Sequence, residues 1–157
     1  MDAAPPPIVI SIPADATMIA AQIPKEWILD GDPQAKSALL SRSTDGTAVT
    51  VVWETTKGRF RWYFGIDETV NVLEGEVFVT DEKNVEHRLG PGDVAYFPGG
   101  SWSVWRVPER LRKIAFIRHG VSGPAALVAR AWDRIAGWFA SAPPAPPVTA
   151  APATAKP

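Results

Sequence analysis

The stretch from Asp67 to Trp105, DETVNVLEGEVFVTDEKNVEHRLGPGDVAYFPGGSWSVW, decides the fold class of this chain. Short runs of β-branched and aromatic residues alternate with polar ones. Each run closes on turn chemistry, at Glu74-Gly75, Asp81 to Asn84, Gly90-Pro91-Gly92 and Pro98-Gly99-Gly100. Runs of this kind at nearly regular spacing read as antiparallel strands. The pattern extends in both directions. Upstream lie AVTVVWE (48–54) and RFRWYF (59–64), parted at Lys57-Gly58. Downstream, SWSVWRV (101–107) and LRKIAFIR (111–118) are parted at Pro108-Glu109. No strand alternates with a helix here, which excludes a parallel α/β sheet and predicts an all-β sandwich or barrel.

The flanks read differently. Residues 1–7 form a flexible, proline-bearing arm, and residues 8–47 a lead-in segment packed on the barrel. Within the lead-in, Ile8 to Ile12 is a short β-type run ended by Pro13. Trp27, Ile28 and Leu29 are an apolar anchor, and a short edge strand is expected near Ser37 to Ser41. The barrel itself spans 48–120. After Gly123-Pro124 the apolar period becomes helical: Leu127, Val128, Ala131, Trp132, Ile135, Trp138 and Phe139 share one face. This predicts one C-terminal amphipathic α-helix over 125–140, packed on the barrel or sealing an open end. Residues 141–157 are rich in alanine and proline and read as a disordered tail.

Composition removes several classes of function. A chain of 157 residues, 46% of them hydrophobic, is one domain with a real core. A net charge of −1 gives no global reason to expect nucleic acid or an anionic membrane as partner. With no cysteine, disulfides, thiolate catalysis and sulfur-ligated zinc are excluded. With two histidines, His87 and His119, so is a histidine-rich metal site within one chain. The N-terminus lacks the basic and apolar regions of a signal peptide, and no apolar stretch is long enough to span a bilayer. A cytoplasmic location follows as the default expectation.

Two segments on neighbouring hairpins resemble the paired motifs of the cupin superfamily. The first motif places a glycine seven residues after a glutamate, the spacing of Glu68 and Gly75. The second is a glycine, five residues, then Pro-x-Gly, which Gly92, Pro98 and Gly100 satisfy. Asp67-Glu68, the VLEGEV turn, GDVAYFP and the RKI run look closest to ureidoglycine-aminohydrolase-type cupins. A further resemblance is to the cupin of ethanolamine utilisation. The resemblance implies a double-stranded β-helix, that is, a jelly-roll barrel, and a homodimer formed by sheet extension. It also shows what is missing. The first-motif histidines fall at Trp62 and Phe64 or at Arg61 and Tyr63, and the second-motif histidine at Ser103. The motif asparagine falls at Val107, so Glu68 alone remains of the usual three histidines and one glutamate. A lone carboxylate is a poor transition-metal site, so no metal or other cofactor is expected.

Strand alternation suggests what lines the interior. If Ser103 points inward, so do Ser101, Trp105 and Val107; if Glu68 does, so do Val70 and Val72. The candidate ligand-binding residues are Trp62, Tyr63, Glu68, Ser103, Trp105 and Lys113. Two readings stand side by side: an aromatic-walled pocket, or tryptophans that plug the barrel. Glu68 is either a structural carboxylate paired with Arg59, Arg61 or Lys113, or a binding or acid–base group. Of the cations, Lys113 is the one placed to reach the interior. His87 and His119 read as surface residues. The basic residues Arg106, Arg110, Arg112, Lys113 and Arg118 read as a solvated face opposed by Glu74, Glu76 and Glu86. Three functions follow from different classes. The first is a metal-independent cupin binding a small polar metabolite around Glu68. The second is an enzyme of the ureidoglycine-aminohydrolase or ethanolamine-utilisation kind. The third is a structural or regulatory dimer without catalysis.

Overall fold

A computed structural model describes residues 7–119 and the pair 153–154. The strands are β1 (Ile19–Ala20), β2 (Ile28–Asp30), β3 (Ala35–Arg42), β4 (Ala48–Phe64), β5 (Asp67–Gly75), β6 (Val77–Thr80), β7 (Val85–Leu89), β8 (Val94–Phe97), β9 (Ser101–Arg118) and β10 (Ala153–Thr154). Single 3₁₀ turns occupy Pro13–Asp15 and Lys25–Trp27. The region is all-β, and its pairing is antiparallel except where β10 lies parallel to β7. The helix expected over 125–140 lies outside the described residues, as does most of the tail. Among the described residues, no helix is long and apolar enough to cross a membrane.

Two long strands organise the barrel. β4 and β9 pair along their whole length and pass through both of its walls. The first half of β4 and the second half of β9 sit with β3 and β5, with β1 and β8 beyond them. The remaining halves sit with β2 and β6, with β7 beyond. Corners where one strand serves two sheets require a bend, and bulges supply it. The register shifts between Thr56 and Gly58, opposite Pro108 and Glu109, which have no paired partners. Two breaks expected from the sequence are therefore bulges inside continuous strands. Proline cannot donate to a ladder, so an unpaired bulge position is where a strand tolerates it. Gly58 is dictated by contact, because a Cβ there would lie 2.8 Å from the Pro33 ring.

The bulge also resets which side chains face inward. Before it, Val49, Val51, Trp53 and Thr55 are buried on one face, with Val52 buried on the other; after it, Phe60 and Phe64 are. On β9 the inward-facing buried set is Ser103, Trp105, Val107, Leu111, Lys113 and Ala115, and Trp102 is buried on the opposite face. Gly75, from the first motif, ends β5 at φ +76°, and a Cβ there would stand 1.8 Å from the Arg110 carbonyl oxygen. Only glycine fits that approach.

The lead-in departs from expectation in two places. Ile8 to Ile12 forms no strand: its isoleucines and valine are exposed, and it is tied down by Ser11 Oγ donating to the Leu40 carbonyl. The carbonyl of Pro13, where the run ends, accepts from the Arg112 guanidinium. The edge strand expected near Ser37 is longer, running from Ala35 to Arg42, and is not the edge, because β1 pairs beyond it at Lys36 and Ser37.

Candidate functional site

One end of the interior is filled. Trp105 is buried among Phe60, Phe64 and Phe97, with ring centroids 5.6 to 6.4 Å from its own. Its indole N–H donates to Ser103 Oγ at 2.8 Å, which satisfies both polar atoms without solvent. Trp102 packs on the opposite side of β9, against Trp27 and Tyr63. Its backbone N–H donates to Glu82, while its indole N–H is buried without an acceptor among the described residues.

The other end is hollow. A cavity of about 500 Å³ is walled by Val51 and Trp53 of β4, by Trp62 to Phe64 at the strand's end, and by Ala115 and Ile117 of β9. Ala20 to Lys25 of the lead-in close one side, with Ile23 buried against the core. Plug and pocket, posed as alternatives by the sequence, therefore coexist at different levels of one barrel.

Glu68 and Lys113 both line this cavity. Their strands are neighbours, since β5 pairs with β9, and Lys113 Nζ donates to Glu68 Oε1 at 2.7 Å. The lysine side chain is 4% exposed and the glutamate 12%, so the pair is held largely away from water. The ammonium also lies 5.3 Å from the ring centroids of Trp53 and Trp105. Aromatic faces attract a cation at this range, and the attraction grows as water is removed.

Of the six residues picked from the sequence, Trp62, Tyr63, Glu68 and Lys113 line the cavity. Ser103 and Trp105 do not; they face inward but belong to the filled end, where Trp105 meets the cavity lining at Lys113 and Phe64. Trp53 and Ile23 went unrecognised. Trp53 is two residues from Val51 on the same inward face, a parity hidden by reading Lys57-Gly58 as a turn. Ile23 sits in an irregular segment with no periodicity to signal it.

The basic residues expected to form one solvated face divide: Lys113 is buried in the site and Arg112 is 11% exposed against Glu54, while Arg106 and Arg110 stay on the outside. Arg106 pairs with Glu86, and Arg110 with Glu74, as the opposed charges suggested, while Glu76 pairs with Arg88. His87 is half-exposed on the β6–β7 hairpin and meets Asp81 at 3.1 Å. His119 is partly buried; burial and then the charge of Arg42 hold its imidazole below the ordinary histidine range.

The donor chemistry here does not fit a transition metal. The motif histidine positions carry Trp62 and Phe64 or Arg61 and Tyr63, and Ser103. The one retained ligand, Glu68, already holds a cation of its own in Lys113. Among the described residues, no three His, Asp or Glu side chains converge on a point that could hold an ion.

Fold and site together define a small jelly-roll barrel with an internal aromatic chamber. Residues 42–115 match the family of EutQ-like cupin domains, and the chain belongs to the cupin superfamily. Of the two kinships suggested by the motifs, this match is with the ethanolamine-utilisation one. A DUF861 family protein of unknown function from Pseudomonas syringae superposes with a TM-score of 0.60 at 23% identity, over 66% of this chain and 45% of that one. A DUF861 family protein from Thermotoga maritima is 38% identical over 41% of this chain and 73% of its own, with a TM-score of 0.39. A putative ethanolamine utilization protein Q from Salmonella typhimurium is 26% identical, over 54% and 69%, with a TM-score of 0.49. The chain thus spans less than half of the Pseudomonas protein and about two thirds of the Salmonella one. No curated protein matches the sequence.

Proposed function

We propose that this chain is a metal-independent cupin that binds a small metabolite in the cavity around Glu68. The observation that carries the reading is the pairing of a carboxylate with an ammonium at 2.7 Å inside a chamber of about 500 Å³ walled by tryptophan. Mostly apolar walls with few, well-placed polar groups are what a small-molecule site requires, and the volume lies in the usual range. The neighbouring ammonium supports metal independence, because it neutralises the carboxylate a metal would need. Val94, Tyr96 and Phe116, exposed on the outer faces of β8 and β9, support a homodimer that packs through that face, in place of the sheet extension that the resemblance implies. Its proposed location is the cytoplasm.

The test is a thermal-shift screen of small amides, ureides, carboxylates and metal salts, with elemental analysis of the purified chain. A ligand that binds only the native state raises the midpoint in proportion to the logarithm of its concentration. The expected result is a saturable shift with an organic ligand and none with metals. One equivalent of manganese, iron or zinc in the purified chain would overturn metal independence. Sedimentation equilibrium checks the dimer.

A further inference from the structure

We infer that the ligand of this cavity presents a net-neutral head with a hydrogen-bond donor beside an acceptor, such as a primary carboxamide or lactam, on an apolar or aromatic body. The inference rests on the binding reading above and adds the chemical class of the ligand.

The argument starts from charge. The cavity's polar anchor is Glu68 with Lys113, and its net charge is zero. Both groups are largely withdrawn from water. An anionic head approaching the ammonium also approaches the carboxylate bonded to it. Most of the attraction is cancelled, and the cost of desolvating the anion remains. A cationic head approaching Glu68 meets the same difficulty with Lys113, and with an ammonium already compensated by two indole rings. The other lining cation, Lys25, is exposed at the rim, where solvent screens it. A neutral head escapes these penalties.

Hydrogen-bond capacity then selects among neutral heads. Glu68 Oε1 is taken by Lys113, and among the described residues Oε2 has no donor. Lys113 carries three N–H groups, of which one is spent on Glu68. The pair therefore displays an acceptor beside a donor. A carboxamide or lactam, with its N–H and C=O side by side, matches both at once. Of the other walls, Gln22, Ser37 and Tyr63 add neutral polar groups, and Val51, Trp53, Trp62, Ala115 and Ile117 offer apolar and aromatic contact to a body of one or two rings.

The experiment uses the full chain with no substitution, so folding is not at stake. Phenylacetamide, phenylacetate and phenethylamine share one skeleton and differ in head charge at pH 7. Each is titrated by calorimetry, and its site is located from the indole N–H resonances of Trp53 and Trp62. The expected result is phenylacetamide binding at least tenfold tighter than either charged probe, with both resonances shifting. If phenylacetate or phenethylamine binds as tightly and moves the same resonances, the neutral-head inference falls while the cavity reading stands. If no probe moves them, both fall.

Discussion

Replacing Lys113 by methionine keeps most of the side-chain volume and removes the ammonium. Glu68 would then stand 12% exposed beside an aromatic wall with no cation. Breaking a buried ion pair from one side typically costs about 3–5 kcal/mol, because it strands a charge. The stranded carboxylate has one escape, which is to take up a proton. For an ordinary glutamate that costs about 3.7 kcal/mol at pH 7 and about 1 kcal/mol at pH 5. Proton uptake therefore caps the penalty, and the cap falls with pH. The lost contacts to Trp53 and Trp105 are partly replaced, since a thioether also packs well on indole rings. Lys113→Met should lower unfolding free energy by about 3–4 kcal/mol at pH 7 and by about 1 kcal/mol at pH 5. The sign is that of a group that binds protons more readily folded than unfolded: the variant is penalised increasingly as pH rises. Adding Glu68→Gln should recover most of the loss at pH 7, because no charge is then stranded. Urea unfolding followed by tryptophan fluorescence and far-ultraviolet circular dichroism at both pH values reads this directly. A loss equal at pH 5 and pH 7, or below about 1 kcal/mol at pH 7, would refute the reasoning and place the carboxylate in effective contact with water.

Gly75→Ala should cost at least about 2 kcal/mol, as the left-handed backbone alone accounts for roughly 1–2 kcal/mol and the new Cβ meets the Arg110 carbonyl; thermal denaturation checks it. Trp105→Ala should destabilise by about 3–5 kcal/mol, and Trp105→Phe by clearly less, because a ring still meets Phe60, Phe64 and Phe97; denaturant titration separates the two. The carboxyl of Asp45 in the β3–β4 turn is held down to about 2 by the Ser43 hydroxyl and then by the Thr47 backbone N–H and hydroxyl. Its carbon resonance should titrate near that value. The stability difference between the native chain and Asp45→Asn should be present above the ordinary carboxylate range and vanish as pH falls through about 2.

The strands were legible because their evidence is local. A period of two in side-chain character, closed by glycine and proline, is readable residue by residue. The same locality explains the errors. Lys57-Gly58 and Pro108-Glu109 have the composition of turns, yet they oppose one another as a bulge within two long strands. Gly58 is glycine because Pro33 lies against it, a contact invisible along the chain. Ile8 to Ile12 has the composition of a strand without a strand's partner. In the site, motif spacing marks Trp62, Tyr63 and Glu68, and Lys113 stands out only as a cation two strands away; all four line the cavity. Trp53 was missed because its facing depends on where the bulge falls, and Ile23 because the segment that carries it is irregular.

What the sequence determined by itself is chemical inventory and local geometry: strand-forming runs, a glutamate kept where the histidines are absent, and too few histidines for a histidine-rich site. Which cation meets Glu68 was decided only in three dimensions. Lys113 lies 45 positions away; β5 and β9 lie side by side with Lys113 opposite Val72 and Glu68 opposite Ile117, so the two long side chains share a face and meet at 2.7 Å. The hollow end is likewise a tertiary property. A cavity is the volume that packed side chains from β4, β9 and the lead-in leave unfilled, and no single segment encodes it.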